Sequence, residues 1–279
     1  MQKKILTIKN LNVTFSTPKG PFHAVKDINF SMGVEKVGVV GESGSGKSIT
    51  SKSVLGLLRK PTRVEADEIS FHDIDLRNLD NKQWRKIRGR KISMIMQDPH
   101  YSLNPIMSVG KQIMESYLTH HKVSKAEAKA KTLEMLELVR INNPERVFDA
   151  YPHEISGGMG QRIMIAMMLI PQPELLIADE PTSALDVSVQ NQILSLINEM
   201  VTRRNMGLIF ISHDLNLVSR FCDRVLIMYR GRIVDECLAS ELHASKHPYT
   251  QGLLNCVPSL DHKKPRLEVL NREKLRSFE

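Results

Sequence analysis

Gly41, Glu42, Ser43, Gly44, Ser45, Gly46, Lys47 and Ser48 spell GESGSGKS, a match to the spacing GxxxxGK[ST]. The glycines of such a loop let successive backbone N–H groups converge on phosphate oxygens, and a following helix adds the favourable end of its dipole. Lys47 then reaches the terminal phosphates, Ser48 offers its hydroxyl to magnesium, and Ile49 carries the chain into the helix. A nucleotide is the expected ligand. Further along, the apolar run Leu175 to Ala178 ends in Asp179 and Glu180. Alone, this reads as an ordinary strand end carrying solvated charges. Beside a phosphate loop, Asp179 becomes a candidate for the magnesium shell and Glu180 for orienting or deprotonating an attacking water. A third segment, ISGGMGQ at 155–161, places Gly157 and Gly158 after Ser156 at the start of an apolar stretch. A capping turn explains Ser156 by itself; two exposed glycine N–H groups at a helix start also suit a second phosphate contact.

These residues need particular elements beneath them. The short runs ILTIKNLNVTF, AVKDINF and VGVV, separated by STPKGP and SMGVEK, predict several strands in close succession, the third of them buried. After the glycine loop, ITSKSVLGLL has apolar residues at helical spacing up to Arg59, Lys60 and Pro61. Residues 101–170 predict a helical insertion, in which Ser124 and Glu127 form a capping box and Ala126, Ala130, Leu133 and Leu136 share a face. Buried strands return at LLIAD and LIFIS, with a helix from about Val187 to Arg204 capped by Asp186. A strand pair turning at Arg230 and Gly231 follows, and beyond it Pro248, Pro258 and Pro265 interrupt any long element. The expected organisation is one nucleotide-binding domain over 1–237 and an appendage over 238–279.

At 279 residues, 41% hydrophobic and 25% charged, the chain has a globular balance that excludes wholly disordered, collagenous and coiled-coil descriptions. Lysine and arginine outnumber aspartate and glutamate by 39 to 31, a net +8 that permits an anionic partner without requiring one. Cys222, Cys237 and Cys256 are widely spaced, which fits a reducing cytosol rather than a disulfide framework or zinc knuckle. The longest apolar run, Ile163 to Ile170, is 8 residues, against roughly 20 for a membrane span. Any membrane role therefore comes through a partner.

With GESGSGKS, Gln97, ISGGMGQ, LLIADE, SALD (Ser183, Ala184, Leu185, Asp186) and His213 in this order, the chain resembles the ATP-binding subunits of ATP-binding-cassette (ABC) transporters over roughly residues 4–255. The resemblance implies an α/β phosphate-loop ATPase with a RecA-like core, an antiparallel β subdomain and a helical insertion. It implies that Phe15 stacks on adenine, that Gln97 senses magnesium and the γ-phosphate, and that His213 contacts that phosphate. For Phe15 a core aromatic, and for His213 a buried structural histidine, are the alternatives. In the family two subunits meet head to tail, so that Ser156, Gly157, Gly158, Met159 and Gln161 of one close on ATP held by the other. ATP and Mg2+ are the implied cofactors.

QDPxxSLNP at 97–105, ALDVSVQNQIL at 184–194 and HPYTQGLL at 247–254 resemble the oligopeptide, dipeptide and nickel importer branch. That branch implies two transmembrane permeases, a second ATP-binding subunit, paralogous or identical, and an extracytoplasmic solute-binding protein. It also implies a peripheral position on the cytoplasmic face of a bacterial inner membrane. Peptide uptake is favoured over nickel or metal-chelate uptake. Gly160 departs from the arginine common in the branch, removing a charge beside the signature glycines. The basic group Arg85, Lys86, Arg88, Arg90 and Lys91 raises a rival, an ABC ATPase acting on nucleic acid. Spacing argues against it: Ser48 and Ser156 are only 108 positions apart, leaving no room for a long coiled coil, and the chain carries one cassette.

Overall fold

The computed structural model describes residues 3–96, 102–182 and 186–256. It divides into two units, Met1–Asn78 with Ile209–Glu279, and Leu79–Leu208. In the first unit, β1 (Leu6–Thr17) and β2 (Gly20–Met32) pair antiparallel from Leu6↔Met32 to Thr17↔Gly20, turning at the expected STPKGP segment. Leu6, Ile8, Leu11 and Val13 are all buried although their alternation breaks at Asn10. Register shifts between Ile8 and Val13 absorb that break, as a bulge does when it returns a strand to the same face. β3 (Lys36–Val40), buried from Val37 onward, feeds the glycine loop and α1 (Lys47–Val54).

α1 is shorter than the expected helix to Arg59. Gly56 takes φ +58, its N–H donates to the Ser53 carbonyl at 3.0 Å, and the Leu57 N–H donates to the Lys52 carbonyl at 2.9 Å. This paired reverse bonding ends a helix at a left-handed glycine whatever apolar residues follow. β4 (Arg63–Glu65), β5 (Glu68–Phe71) and β6 (Ile74–Asp75) complete an antiparallel sheet of order β2-β1-β5-β6, with β4 also on β1.

The second unit begins with α2 (Asn81–Ile87), closed by a reciprocal cap between Asp80 and Gln83, and β7 (Ile92–Ile95). α3 (Val109–Leu118), α4 (Lys125–Leu138), α5 (Pro144–Asp149) and α6 (Gly157–Leu169) follow, in the region expected to be helical. Ser124 caps α4 through the Glu127 N–H at 3.1 Å. The buried face of α4 is Ala128, Thr132, Met135 and Leu136, while Ala126 and Ala130 are exposed. The expected face is thus rotated, because both sets fit a helical period and the pattern alone does not choose between them. β8 (Leu175–Asp179) pairs parallel with β7 from Ile92↔Leu175 to Ile95↔Ala178. α7 (Val187–Arg203) starts on Asp186, whose carboxylate accepts from the Val189 N–H at 3.0 Å.

β9 (Gly207–Ile211) ends in the first unit. After it come α8 (Leu215–Phe221), β10 (Arg224–Tyr229), β11 (Arg232–Leu238) and α9 (Pro248–Cys256). The strand order here is β11-β10-β3-β9, with β10 parallel to β3 and antiparallel to β11. Arg230 and Gly231 form the expected turn, both at positive φ, which suits a tight hairpin. Within the described residues after β11 the longest element is α9, which starts at Pro248, while Pro258 and Pro265 lie outside the described residues. Tyr249 (1% exposed) and Thr250 are buried here.

Candidate nucleotide site

The phosphate loop leaves β3 at Gly41, where φ is +153 and a Cβ would stand 2.1 Å from the Met228 carbonyl oxygen of β10. Only glycine fits there. At the other end Gly46 is the left-handed N-cap of α1, which has no side-chain cap and no acid in its first turn. The first intrahelical bond is Thr50 N–H to the Gly46 carbonyl at 2.9 Å. The N–H groups of Lys47, Ser48 and Ile49 therefore precede the helix ladder at its positive end, the arrangement that favours an anion. Lys47 is buried at 6% exposure and folds back over the loop, donating to the Gly41 carbonyl at 2.8 Å and the Glu42 carbonyl at 2.9 Å. Those carbonyls store the ammonium beside the place where phosphate oxygens would compete for it. Ser43 and Gly44 are exposed, and the buried Ser45 hydroxyl has no hydrogen-bond partner.

In the same unit the carboxyl ends of β3 and β9 lie side by side, the Ser212 N–H donating to the Val39 carbonyl at 3.2 Å. His213 follows at once and is exposed, so the alternative of a buried histidine does not hold. Phe15 is half-buried on β1 and faces Phe22 of β2, itself 58% exposed. Phe22 joins Phe15 as an aromatic surface that the strand pattern did not single out.

In the second unit Asp179 closes β8 at 6% exposure and Glu180 follows at φ +47. A non-glycine residue in the left-handed region costs on the order of 1 kcal/mol or more and clusters at functional sites. The signature helix opens on Ser156, whose hydroxyl accepts from the Met159 N–H at 3.4 Å. Gly157 has open space where a Cβ would stand, and Gly158 would meet only Val189 Cγ1 at 3.4 Å. The Gln161 amide donates to the Pro181 carbonyl, linking α6 to the turn after Glu180. Gln97, Ser183, Ala184 and Leu185 lie outside the described residues, and Asp186 caps α7. Of the basic group, Arg85, Lys86 and Arg90 are exposed, Arg88 stacks over Trp84 at 4.4 Å and Lys91 pairs with Glu174.

A strand, glycine loop and helix in one unit, with a strand ending in two acids and a helix opened by two glycines in the other, define a phosphate-loop ATP-binding cassette. Residues 25–183 match the family described as ABC transporter, and the chain belongs to that family, whose cassettes bind and hydrolyse ATP. It is 47% identical to the dipeptide transport ATP-binding protein DppD of Haemophilus influenzae over 95% of this chain and 81% of that one. It is 48% identical to the oligopeptide transport ATP-binding protein OppD of Escherichia coli, over 92% of this chain and 77% of that one. A dimeric structure of a post-hydrolysis state of the ATP-binding cassette MJ0796, bound to ADP and Pi, superposes with a TM-score of 0.73 at 26% identity. That match covers 84% of this chain and 98% of the other. Among the described residues no helix is long and apolar enough to cross a membrane.

Proposed function

We propose that the chain is the ATP-hydrolysing subunit of a membrane import system for dipeptides and oligopeptides, seated peripherally on the cytoplasmic face of the inner membrane. Its partners in this reading are two permease subunits, a solute-binding protein outside the membrane and a second ATP-binding subunit. The observation that carries the reading is the phosphate loop, with Lys47 tethered to its own carbonyls above an uncapped helix start. The dipeptide and oligopeptide transport named for the two relatives supplies the substrate class.

ATP enters with its adenine on Phe15 and its phosphates in the loop from Gly41 to Ile49, over the N–H groups at the start of α1, and Lys47 exchanges two carbonyls for phosphate oxygens. Ser48, Asp179 and Gln97 offer the hard oxygen donors that Mg2+ prefers, and the ion when bound neutralises charge between the β- and γ-phosphates. Glu180 orients the water and takes its proton, and His213 holds the γ-phosphate. Ser156, Gly157, Gly158, Met159 and Gln161 of each subunit close on the ATP of the other, with Ser183 to Asp186 at the same junction. ATP thus favours the closed pair; cleavage removes the γ-phosphate contacts and the pair reopens, a population shift that the permeases convert into transport.

The test is to purify the tagged chain from detergent-solubilised membranes, reconstitute what accompanies it, and follow labelled dipeptide uptake. Co-purifying permeases and uptake with ATP but not with a non-cleavable analogue are expected. ATPase activity stimulated by nucleic acid, with no permease recovered, would overturn the reading.

A further inference from the structure

The nucleotide site has a neighbour that the transport reading leaves without a role. Tyr249, in the first turn of α9, is almost fully buried, and its hydroxyl accepts a hydrogen bond from the Glu42 N–H of the phosphate loop at 3.3 Å. The same Glu42 residue presents its carbonyl to Lys47 at 2.9 Å. One residue of the loop is therefore gripped on its N–H side by the carboxy-terminal segment and on its carbonyl side by the lysine expected to meet phosphate. The hairpin turn holds the loop a few residues further on, the Gly231 N–H donating to the Ser45 carbonyl at 3.0 Å. Tyr229, just before that turn, lies against Tyr249 with ring centroids 4.4 Å apart.

α9 is itself fastened. The Ser245 and Thr250 hydroxyls both donate to Asp235 Oδ2 of β11 at 2.6 Å, and the Gln251 amide donates back to the Ser245 carbonyl. Thr250 is wholly buried, so these bonds replace water the hydroxyl has lost. A side-chain network of this kind specifies the seat of a short helix that its own propensity would not hold.

We infer that Tyr249 is a positioning residue of the nucleotide site: by holding the Glu42 N–H it fixes the phosphate loop for ATP and makes nucleotide affinity depend on the seating of α9. The inference rests on the proposed nucleotide role of the loop. A partner that displaced α9 would thereby loosen ATP binding without touching the nucleotide.

The experiment compares ATP affinity, by titration with a fluorescent ATP analogue, in the full chain and in Tyr249→Phe, Asp235→Ala, Tyr229→Phe and Lys47→Ala. Tyr249→Phe deletes one acceptor and keeps the ring, so ATP affinity should fall about three- to tenfold. The KM of hydrolysis should rise in step, kcat should stay within about twofold, and amide exchange should quicken across 41–48 but not across β1 and β2. Asp235→Ala should give the same pattern by freeing α9. Tyr229→Phe is the matched control, because the Tyr229 hydroxyl is buried without a hydrogen-bond partner; its affinity should stay unchanged. Unchanged affinity in Tyr249→Phe, or an equal loss in Tyr229→Phe, overturns the inference. A chain indifferent to Lys47→Ala refutes the nucleotide reading of the loop itself, whereas one that needs Lys47 but ignores Tyr249→Phe refutes only the inference.

Discussion

Two glycine-bearing loops stand at two helix starts in this molecule, and they keep their glycines for opposite reasons. In the phosphate loop the reason lies inside the chain: Gly41 sits at φ +153 with the Met228 carbonyl where its Cβ would be. In the signature loop the chain itself gives none. Gly157 is the first residue of α6, has ordinary helical backbone, and faces open space. A glycine that its own fold does not require, at an exposed helix start, is one whose bareness serves something that approaches from outside. The first loop is complete within its unit; the second reads as half of an interface.

The largest expected effect separates binding from chemistry along the same line. Glu180→Gln, in the second unit, keeps the side chain's size and removes its basicity, so hydrolysis should fall by about 10²- to 10⁴-fold. ATP affinity should change little, because in the proposed site Glu180 acts on the water and not on the bound phosphates. Phosphate release against nucleotide titration reads both at once, and undiminished turnover would strip Glu180 of its role. Next comes Gly41→Ala, which should lower folding stability by about 3 kcal/mol, since the new methyl meets a backbone oxygen that cannot yield. Urea unfolding measures it; a loss under about 1 kcal/mol would mean that the loop is not built by its own packing. Lys47→Ala should weaken ATP binding by at least about tenfold, the worth of a charge-assisted phosphate contact, and leave stability within about 1 kcal/mol.

Much of this architecture is legible in residue order. The strands at VGVV, LLIAD and LIFIS, the Asp186 cap and the Arg230–Gly231 turn all follow from local patterns that tertiary contacts leave intact. The misses have physical causes. α1 stops at Val54 because Gly56 takes a left-handed cap, which an apolar count does not register. The face of α4 is rotated because two residue sets fit the same helical period and the period alone does not choose between them. β7, four residues long, gives too short a run to be told from any other apolar stretch. Tyr249 is the instructive case. Its segment HPYTQGLL is distinctive in sequence, yet its bond to Glu42 spans 207 positions, and no periodicity reports a contact of that range.

The smallest expected change is the most discriminating. Gly157→Ala places a methyl in open space on helical backbone, so folding stability should be unchanged or rise by no more than about 1 kcal/mol, the helix propensity gained over glycine. Affinity of the isolated chain for ATP should also be unchanged, because in the proposed pair this loop meets the partner's nucleotide and not its own. If the methyl stands where a partner's ATP must approach, hydrolysis by the assembled transporter nevertheless falls several-fold, and the closed pair forms less readily with ATP. A substitution that stabilises the fold while impairing its work marks a residue kept for function against stability. Should Gly157→Ala cost the isolated chain as much stability as Gly41→Ala, the two loops would prove to be kept for the same internal reason, and the case for a half-interface at Ser156 to Gly158 would fall with the contrast.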